Sequence, residues 1–437
     1  MRRADQLVFS ILAGSDTGAT PGWMRTMHKV PYTHVRIAFV ALLLILLSPG
    51  TACAQAQKSA PLGLTPPMGW NSWNTFGCDV DEAMIRQMAD AMVASGMKDA
   101  GYEYINIDDC WHGKRDADGN IQADPKTFPS GMKALADFIH ARGLKIGLYS
   151  DAGNTTCAGR PGSRGHEYQD ALTYARWGID YVKYDWCDTK GISAPAAYTT
   201  MRDAIRASGR DMVFSICEWG DNKPWEWAPG IGHSWRTTGD ITPCWNCEHN
   251  HGSWSSFGVL PILDKQAGLR KHAGPGHWND MDMMEVGNGM SEEEDRAHFS
   301  LWAMLASPLI AGNDLRTMTD ATRRILTHRD MIAINQDRLG IQAMKWIDEG
   351  EIELFLKPLD NGGYALLVLN RTDDARVYTL DWSSHDMKDD ISGRAIEFKK
   401  QRFSWRDVWN DNTGSTSTPF STTIPAHGVA VLRLSPQ

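Results

Sequence analysis

The sequence predicts an α/β protein: a (β/α)8 TIM barrel followed by a small antiparallel β-sandwich domain. Three observations carry this. A unit of amphipathic helix, glycine, short apolar strand and terminal carboxylate occurs three times in succession between Asp81 and Asp185. The glycine suits a left-handed helix stop, and the alternation implies parallel strands joined by crossover helices. Eight strand-like segments run from Met68 to Gly312 with polar residues at their ends, as such a barrel requires. After Gly340 the texture changes to β segments with hairpin signals and no useful helical period. An open doubly wound sheet is the alternative, but no Gly-rich phosphate turn follows the first strand.

The 437 residues suffice for a large core and two domains. A hydrophobic share of 42% against 22% charged residues marks a globular chain. The net charge of −9, with no basic run, argues against nucleic acid or an anionic membrane surface as partner. Eighteen tryptophans suit the C–H faces of sugars and equally suit an aromatic core.

Residues 1–54 read as a signal peptide. Residues 1–26 are an upstream extension or a misassigned start, because Met27 is the more ordinary beginning. The apolar run Ile37–Leu47 is too short to span a bilayer. Lys29 and Arg36 precede it, and Ala52-Cys53-Ala54 follows as a small-residue cleavage site. Cys53 could carry a lipid, but Gly50 stands where a Leu is expected. The mature chain is expected to be secreted or periplasmic, with no membrane partner after cleavage. Seven cysteines then remain. An oxidising compartment permits disulfides, and the odd count leaves at least one thiol free.

Residues 62–342 form the expected barrel. Met68–Asn71 is the first strand. Asp81–Lys98 is the first helix: Asp81 can cap it, and Met84, Met88 and Met92 share a core face. After Gly101, Tyr104–Ile107 leads to Asp108-Asp109-Cys110-Trp111. Ser130–Arg142 is a helix with Met132, Leu135 and Phe138 or Ile139 inward. Gly143 precedes the strand Lys145–Tyr149 and Asp151. Tyr168–Trp177 and Gly178 lead to Tyr181-Val182-Lys183-Tyr184-Asp185. The remaining strands are Met212–Cys217 before Glu218-Trp219, Ser234–Thr238 before Asp240, Gly276–Asn279 before Asp280 and Asp282, and Ala306–Gly312 before Asn313. Residues 343–437 form the β domain. Its strands are Ile352–Leu356 and Tyr364–Leu369 around the turn Asp360-Asn361-Gly362-Gly363, then Val377–Trp382, Phe403–Trp409 and Val429–Leu434.

The strand ends gather Trp70, Asp108, Asp109, Tyr149, Lys183, Asp185, Glu218, Arg236, Asp240 and Asp282. Carboxylates accept hydroxyl protons, Lys and Arg donate, and Trp supplies an apolar platform. Such a rim suits a neutral polyhydroxylated ligand. Asp185 reads as a nucleophile at the end of a barrel strand. Lys183 reads as a donor to substrate, with an ion-pair role as the alternative, and Asp280 as a loop cap or a substrate contact. Asp151 and Asp188 read as surface residues, Trp111 and Trp219 as pocket lining. Cys244-Trp245-Asn246-Cys247-Glu248-His249-Asn250-His251 has ligand types for zinc. In an exported protein a small disulfide loop, or no bond, is the preferred reading, and no metal is expected.

Several of these runs resemble one family. They are Gly63-Leu64-Thr65-Pro66-Pro67-Met68-Gly69-Trp70-Asn71-Ser72-Trp73, Asp108-Asp109-Cys110-Trp111, Tyr181-Val182-Lys183-Tyr184-Asp185, Cys217-Glu218-Trp219-Gly220, Trp235-Arg236-Thr237-Thr238 and Trp278-Asn279-Asp280-Met281-Asp282-Met283. In order and spacing they resemble glycoside hydrolase family 27 of clan D, the α-galactosidases, over about residues 62–342. The Glu-Trp-Gly version looks like plant and bacterial members.

The resemblance implies a retaining exo-hydrolase of terminal α-galactosyl groups, with Asp185 as nucleophile and Asp240 as acid/base, held protonated while Asp185 is ionised beside Lys183. It implies that Asp108 and Asp109 bind the O4 and O6 hydroxyls of galactose, with Lys183 and Tyr149 nearby. Trp70 should line the pocket, Arg236 and Asp282 should hold O2 and its neighbours, and Cys157, Glu218 and Trp219 should touch substrate. Glu218 favours galactose over N-acetylgalactosamine, and Asp108-Asp109 argues against β-L-arabinopyranosides. The resemblance also implies bridges from Cys78 to Cys110 and from Cys157 to Cys187, and leaves Cys217 a buried thiol. The Cys244–His251 run departs from the family's pattern. The expected partner is a galactosyl oligosaccharide or polysaccharide, and hydrolysis by paired carboxylates needs no cofactor. The rival readings are another glycosidase of the family (an α-N-acetylgalactosaminidase, an isomaltose-type glucan hydrolase or a β-L-arabinopyranosidase), a non-catalytic sugar binder, or a metal-dependent barrel hydrolase.

Overall fold

The computed structural model describes residues 61–437, so the expected signal peptide lies outside the described residues. Eight parallel strands form one curled sheet: β1 (Met68–Asn71), β2 (Tyr104–Ile107), β3 (Lys145–Asp151), β4 (Tyr181–Asp185), β5 (Val213–Cys217), β6 (Ser234–Arg236), β7 (Trp278–Asp280) and β8 (Leu309–Ala311). Their order is β8-β1-β2-β3-β4-β5-β6-β7. All eight fall on strand segments read from the sequence, three of them from the alternation of helix, glycine and apolar run and the others from short apolar runs with polar ends. The β7–β8 seam has no strand ladder. It closes just beyond β7, where Met284 donates to Ile310 O at 2.7 Å and accepts from Gly312 N at 3.0 Å.

The first helix differs from expectation. It covers Glu82–Ala94, capped by Asp81, whose carboxylate accepts from Met84 N at 2.7 Å. Gly96, at φ +83°, then breaks it, and a separate turn spans Met97–Ala100. A left-handed glycine ends a helix more effectively than the methionine stripe can continue it. Met84, Met88 and Met92 are buried as expected. In the helix Gly131–His140, Ile139 faces the core, whereas Phe138 lies under the guanidinium groups of Arg86 and Arg142.

The C-terminal domain is a β sandwich. Its main sheet orders Met344–Asp348, Ile352–Pro358, Tyr364–Asn370, Val429–Pro436, Phe403–Asp407 and Thr413–Ser415 side by side, all antiparallel. Arg376–Leu380 pairs with Phe420–Ile424 in the second layer. The hairpin expected at Asn361-Gly362 forms, with Gly362 at φ +82°. Seven strands had no signal strong enough to be read: Met344–Asp348, Met387–Lys388, Ala395–Ile396, Thr413–Ser415, Phe420–Ile424, and the hairpin of Glu248–Asn250 with Ser255–Phe257 in the barrel. Each is short or polar, so alternation over it is weak.

The central strands are buried on both faces. Leu354, Leu356, Leu366, Val368 and Leu432 join a core with Tyr378, Leu380, Trp382, Phe420 and Ile424. The alternate residues Phe355, Ala365, Leu367, Leu369 and Val431 join the barrel's core. That double burial is why these strands read as unbroken apolar runs. Among the described residues no helix is long and apolar enough to cross a membrane.

Lys357 lies in the Ile352–Pro358 strand, fully buried, and donates to Ala303 O at 3.2 Å near the end of the helix Glu292–Met304. Burial pulls its pKa down to about 7, with Asp337 opposing. The unfolded chain therefore binds the extra proton, and the resulting cost to folding is greatest at low pH. Lys357→Met is expected to gain in melting temperature relative to wild type by roughly 2–4 °C more at pH 6 than at pH 9. Paired thermal melts check this; an equal difference at both pH values contradicts it.

Candidate active site

The polar cluster is set by strand register. In-register residues of neighbouring parallel strands point to one face, and residues two apart in one strand share it. Tyr149 pairs with Lys183, and Asp151 with Asp185. Lys183 in turn pairs with Ser215, and Asp185 with Cys217. One side of β3, β4 and β5 thus carries a phenol, an ammonium, a thiol and two carboxyls.

Asp185 is 6% exposed. Its Oδ2 accepts from the Tyr149 hydroxyl at 2.7 Å, and the Cys157 sulfur lies 3.4 Å from the same oxygen. Oδ1 accepts from Trp186 N at 3.0 Å. Burial raises its pKa to about 6; Lys183 and the Tyr149 hydrogen bond oppose the rise, and Asp240 adds to it. Lys183 makes its ion pair with Asp108 (2.7 Å), not with Asp185. Burial lowers the ammonium's pKa, but Asp108 and its acidic neighbours outweigh that and hold it well up. Its effect on the expected nucleophile is therefore through space.

Asp108 also accepts from Asn71 Nδ2 at 2.7 Å. Asp109 accepts from Cys110 N at 2.7 Å and Ala158 N at 2.9 Å, and burial still raises its pKa. On the other side of the cluster, Arg236 is 3% exposed. Its Nη2 donates to Asp240 Oδ1 and lies on Asp282 Oδ2, each at 3.0 Å. Asp282 sits at φ +82° and also accepts from Ile241 N at 2.8 Å. The Asp240 side chain is 42% exposed, against 5% for Asp282. Asp240 therefore faces the opening.

Glu218 is fully buried and accepts from Asn222 through Oε2 alone. Its Oε1 has no partner, and burial raises its pKa to about 7. Such an orphaned acceptor is a ready partner for a hydroxyl. Trp219 follows at φ +60°, half-buried. Asp280 accepts from Asp282 N at 2.9 Å, a loop-bracing role, and burial raises it to about 6.

Three expectations need correction. Asp151 is no surface residue: it is wholly buried and accepts from Gly153 N (2.6 Å) and Cys187 N (2.9 Å). Burial, then Asp185, pushes its pKa to about 9. The signal was its spacing from Tyr149, which puts both on one strand face. Trp111 belongs to the core, with its N–H on Tyr149 O at 2.9 Å. Trp70, expected on the pocket wall, presents no surface to solvent; its N–H is held by Asn313 O at 2.7 Å. A tryptophan N–H at a strand end finds a backbone carbonyl more readily than an open face. Asp188 is exposed, as expected.

Cys78 is bonded to Cys110 and Cys157 to Cys187, and Cys217 is a buried free thiol. Cys244 is bonded to Cys247, so neither offers a zinc-binding thiolate. Asn71, to which the sequence assigns no role, supports Asp108 by donating to its carboxylate.

Residues 65–337 match the family described as alpha galactosidase A, and residues 349–434 match the alpha galactosidase C-terminal beta sandwich domain. The chain is 76% identical over 384 residues to the alpha-galactosidase A of Cellvibrio japonicus (strain Ueda107), covering 88% of this chain and 95% of that protein. It is 45% identical over 380 residues to an alpha-galactosidase of the plant Cyamopsis tetragonoloba, covering 86% of this chain and 87% of that protein. The structure of an alpha-galactosidase from Saccharomyces cerevisiae with raffinose superposes with a TM-score of 0.80 at 32% identity, covering 87% of this chain and 100% of that one.

The Cys157–Cys187 bridge holds one sulfur against Asp185 and closes a 30-residue separation. Replacing both cysteines by serine is expected to cost about 3–4 kcal/mol of stability by loop entropy. Urea unfolding of the double variant checks this; an unchanged midpoint contradicts it.

Proposed function

The chain belongs to the alpha galactosidase A family, and from that premise we propose that it is an exo-acting α-galactosidase working with retention through a covalent glycosyl-Asp185 intermediate. The observation that carries this reading is the asymmetry of two acids. Asp185 is sequestered under a phenol and near an ammonium, whereas Asp240 is tied to Arg236 and faces the opening.

In the first displacement, an Asp185 oxygen bonds to the anomeric carbon while the glycosidic C–O bond breaks. Asp240 gives its proton to the departing oxygen. Water then enters, Asp240 takes a proton from it, and its oxygen displaces Asp185 from the same carbon. The product is α-galactose and the carboxylate is restored. Asp108, Asp109, Lys183, Glu218, Arg236 and Asp282 would bind the sugar's hydroxyls, with Trp219 and Cys157 beside them. A Glu at position 218, where the resemblance implies a smaller residue for an N-acetylgalactosaminidase, supports plain galactose as the substrate group. We place residues 62–342 as the catalytic domain and 343–437 as its β-sandwich companion, in a secreted or periplasmic protein whose three disulfides suit an oxidising compartment.

Asp185→Ala is expected to lower kcat on an aryl α-galactoside by a factor on the order of 10⁴ or more. Near-wild-type turnover would sink the assignment. NMR of the first-formed product should show α-galactose; the β anomer contradicts retention. Tyr149→Phe removes a donor that favours the charged Asp185. Its pKa then rises above about 6, and the acid limb of the kcat/KM profile should move to higher pH. An unmoved limb separates Tyr149 from the nucleophile's titration.

A further inference from the structure

The loop from β6 to β7 holds the segment that departs from the family's pattern. Beyond Asp240 the chain passes Cys244 and Cys247 and folds into the hairpin Glu248–Asn250 with Ser255–Phe257. The hairpin is fastened to Asp240. Phe257 N donates to the Asp240 carbonyl at 2.8 Å, and Phe257 O accepts from Thr242 N at 2.9 Å. The Cys244–Cys247 bond and a 2.8 Å bond from Gly258 N to Cys247 O clamp its base.

At the hairpin's tip, Trp254 stacks on His251 with ring centroids 4.0 Å apart and planes at 23°. His251 N donates to Trp254 O at 2.9 Å, and the His251 ring is hydrogen-bonded to Ser256 Oγ at 3.0 Å. Trp254 is 50% exposed, whereas Trp70, Trp111, Trp235, Trp278 and Trp302 are wholly buried. An indole braced on one face and open on the other has little rotamer freedom left to lose on binding. It lies three residues before Phe257, about 10 Å at the rise of a strand. Asp240, the most open of the site's acids, lies at the hairpin's root.

We propose that Trp254, braced by His251, forms a leaving-group subsite that stacks on a pyranose ring of the departing saccharide. The subsite rests on the reading of Asp240 as the acid that protonates the leaving oxygen. The ligand class is a neutral oligosaccharide long enough to reach beyond its first leaving-group sugar. Its C–H face meets the indole, and the exposed Glu248, His249 and Asn250 offer partners for its hydroxyls.

The test compares wild type and Trp254→Ala on 4-nitrophenyl α-galactoside and on a mannotetraose carrying one α-galactosyl branch. The variant should lose about tenfold in kcat/KM on the branched tetraose, mainly through KM, as for truncation of an aromatic anchor. Its activity on the aryl substrate and its melting temperature should stay unchanged. His251→Ala should reproduce the effect in weaker form. Equal changes on both substrates, or none on either, overturn the subsite while leaving the α-galactosidase reading intact. Wild type inactive on both substrates overturns that reading and the subsite with it.

Discussion

The parallel pairing of β3 with β4 sets Tyr149 beside Lys183 and Asp151 beside Asp185. A slip of either strand by one residue would turn that strand's pair of side chains to the other face and break up the group. The disulfide from Cys157 to Cys187 ties the loops that follow these two strands, and Asp151 accepts from Cys187 N at its end. The phenol's grip on Asp185 and the sulfur's closeness to it both follow from that alignment.

Charge balance follows from the same crowding. Among the described residues, Asp108, Asp109, Asp151, Asp185, Asp280, Asp282 and Glu218 are buried with two cations, Lys183 and Arg236, threading between them. Each cation is claimed first by its nearest acid: Lys183 by Asp108, Arg236 by Asp282 and Asp240. The remaining carboxyls are left to burial, which favours their neutral forms. Asp151 lies furthest along that scale, and a neutral carboxyl there spares Asp185 a second negative neighbour.

The barrel was legible because its signals are local. A glycine after the helix and an apolar run before the carboxylate mark β2, β3 and β4 within a few residues, and the other strands show as short apolar runs that end in polar residues. The acids at strand ends were legible for the same reason. What sequence alone missed depends on contacts across the chain. The burial of Asp151 needs the length of β3. The sealing of Trp70 and Trp111 needs Asn313 O and Tyr149 O as partners. Lys183's preference for Asp108 over Asp185 needs the distance between β2 and β4. The polar hairpin after Asp240 has no apolar alternation to announce it, and its order comes from a short disulfide and from bonds to Asp240 and Cys247.

The central strands of the sandwich lend one face to each of two cores, and the helix Glu292–Met304 packs against three of them. That helix also carries Trp302, whose N–H holds the Asp282 carbonyl at 2.8 Å. A chain cut near residue 343 would therefore bare an apolar wall on the barrel and loosen the helix that steadies Asp282. Calorimetry on the intact chain should then see one cooperative transition rather than two, because neither body can melt while the other keeps its walls covered. The sandwich thus bears on Asp282 through one shared helix.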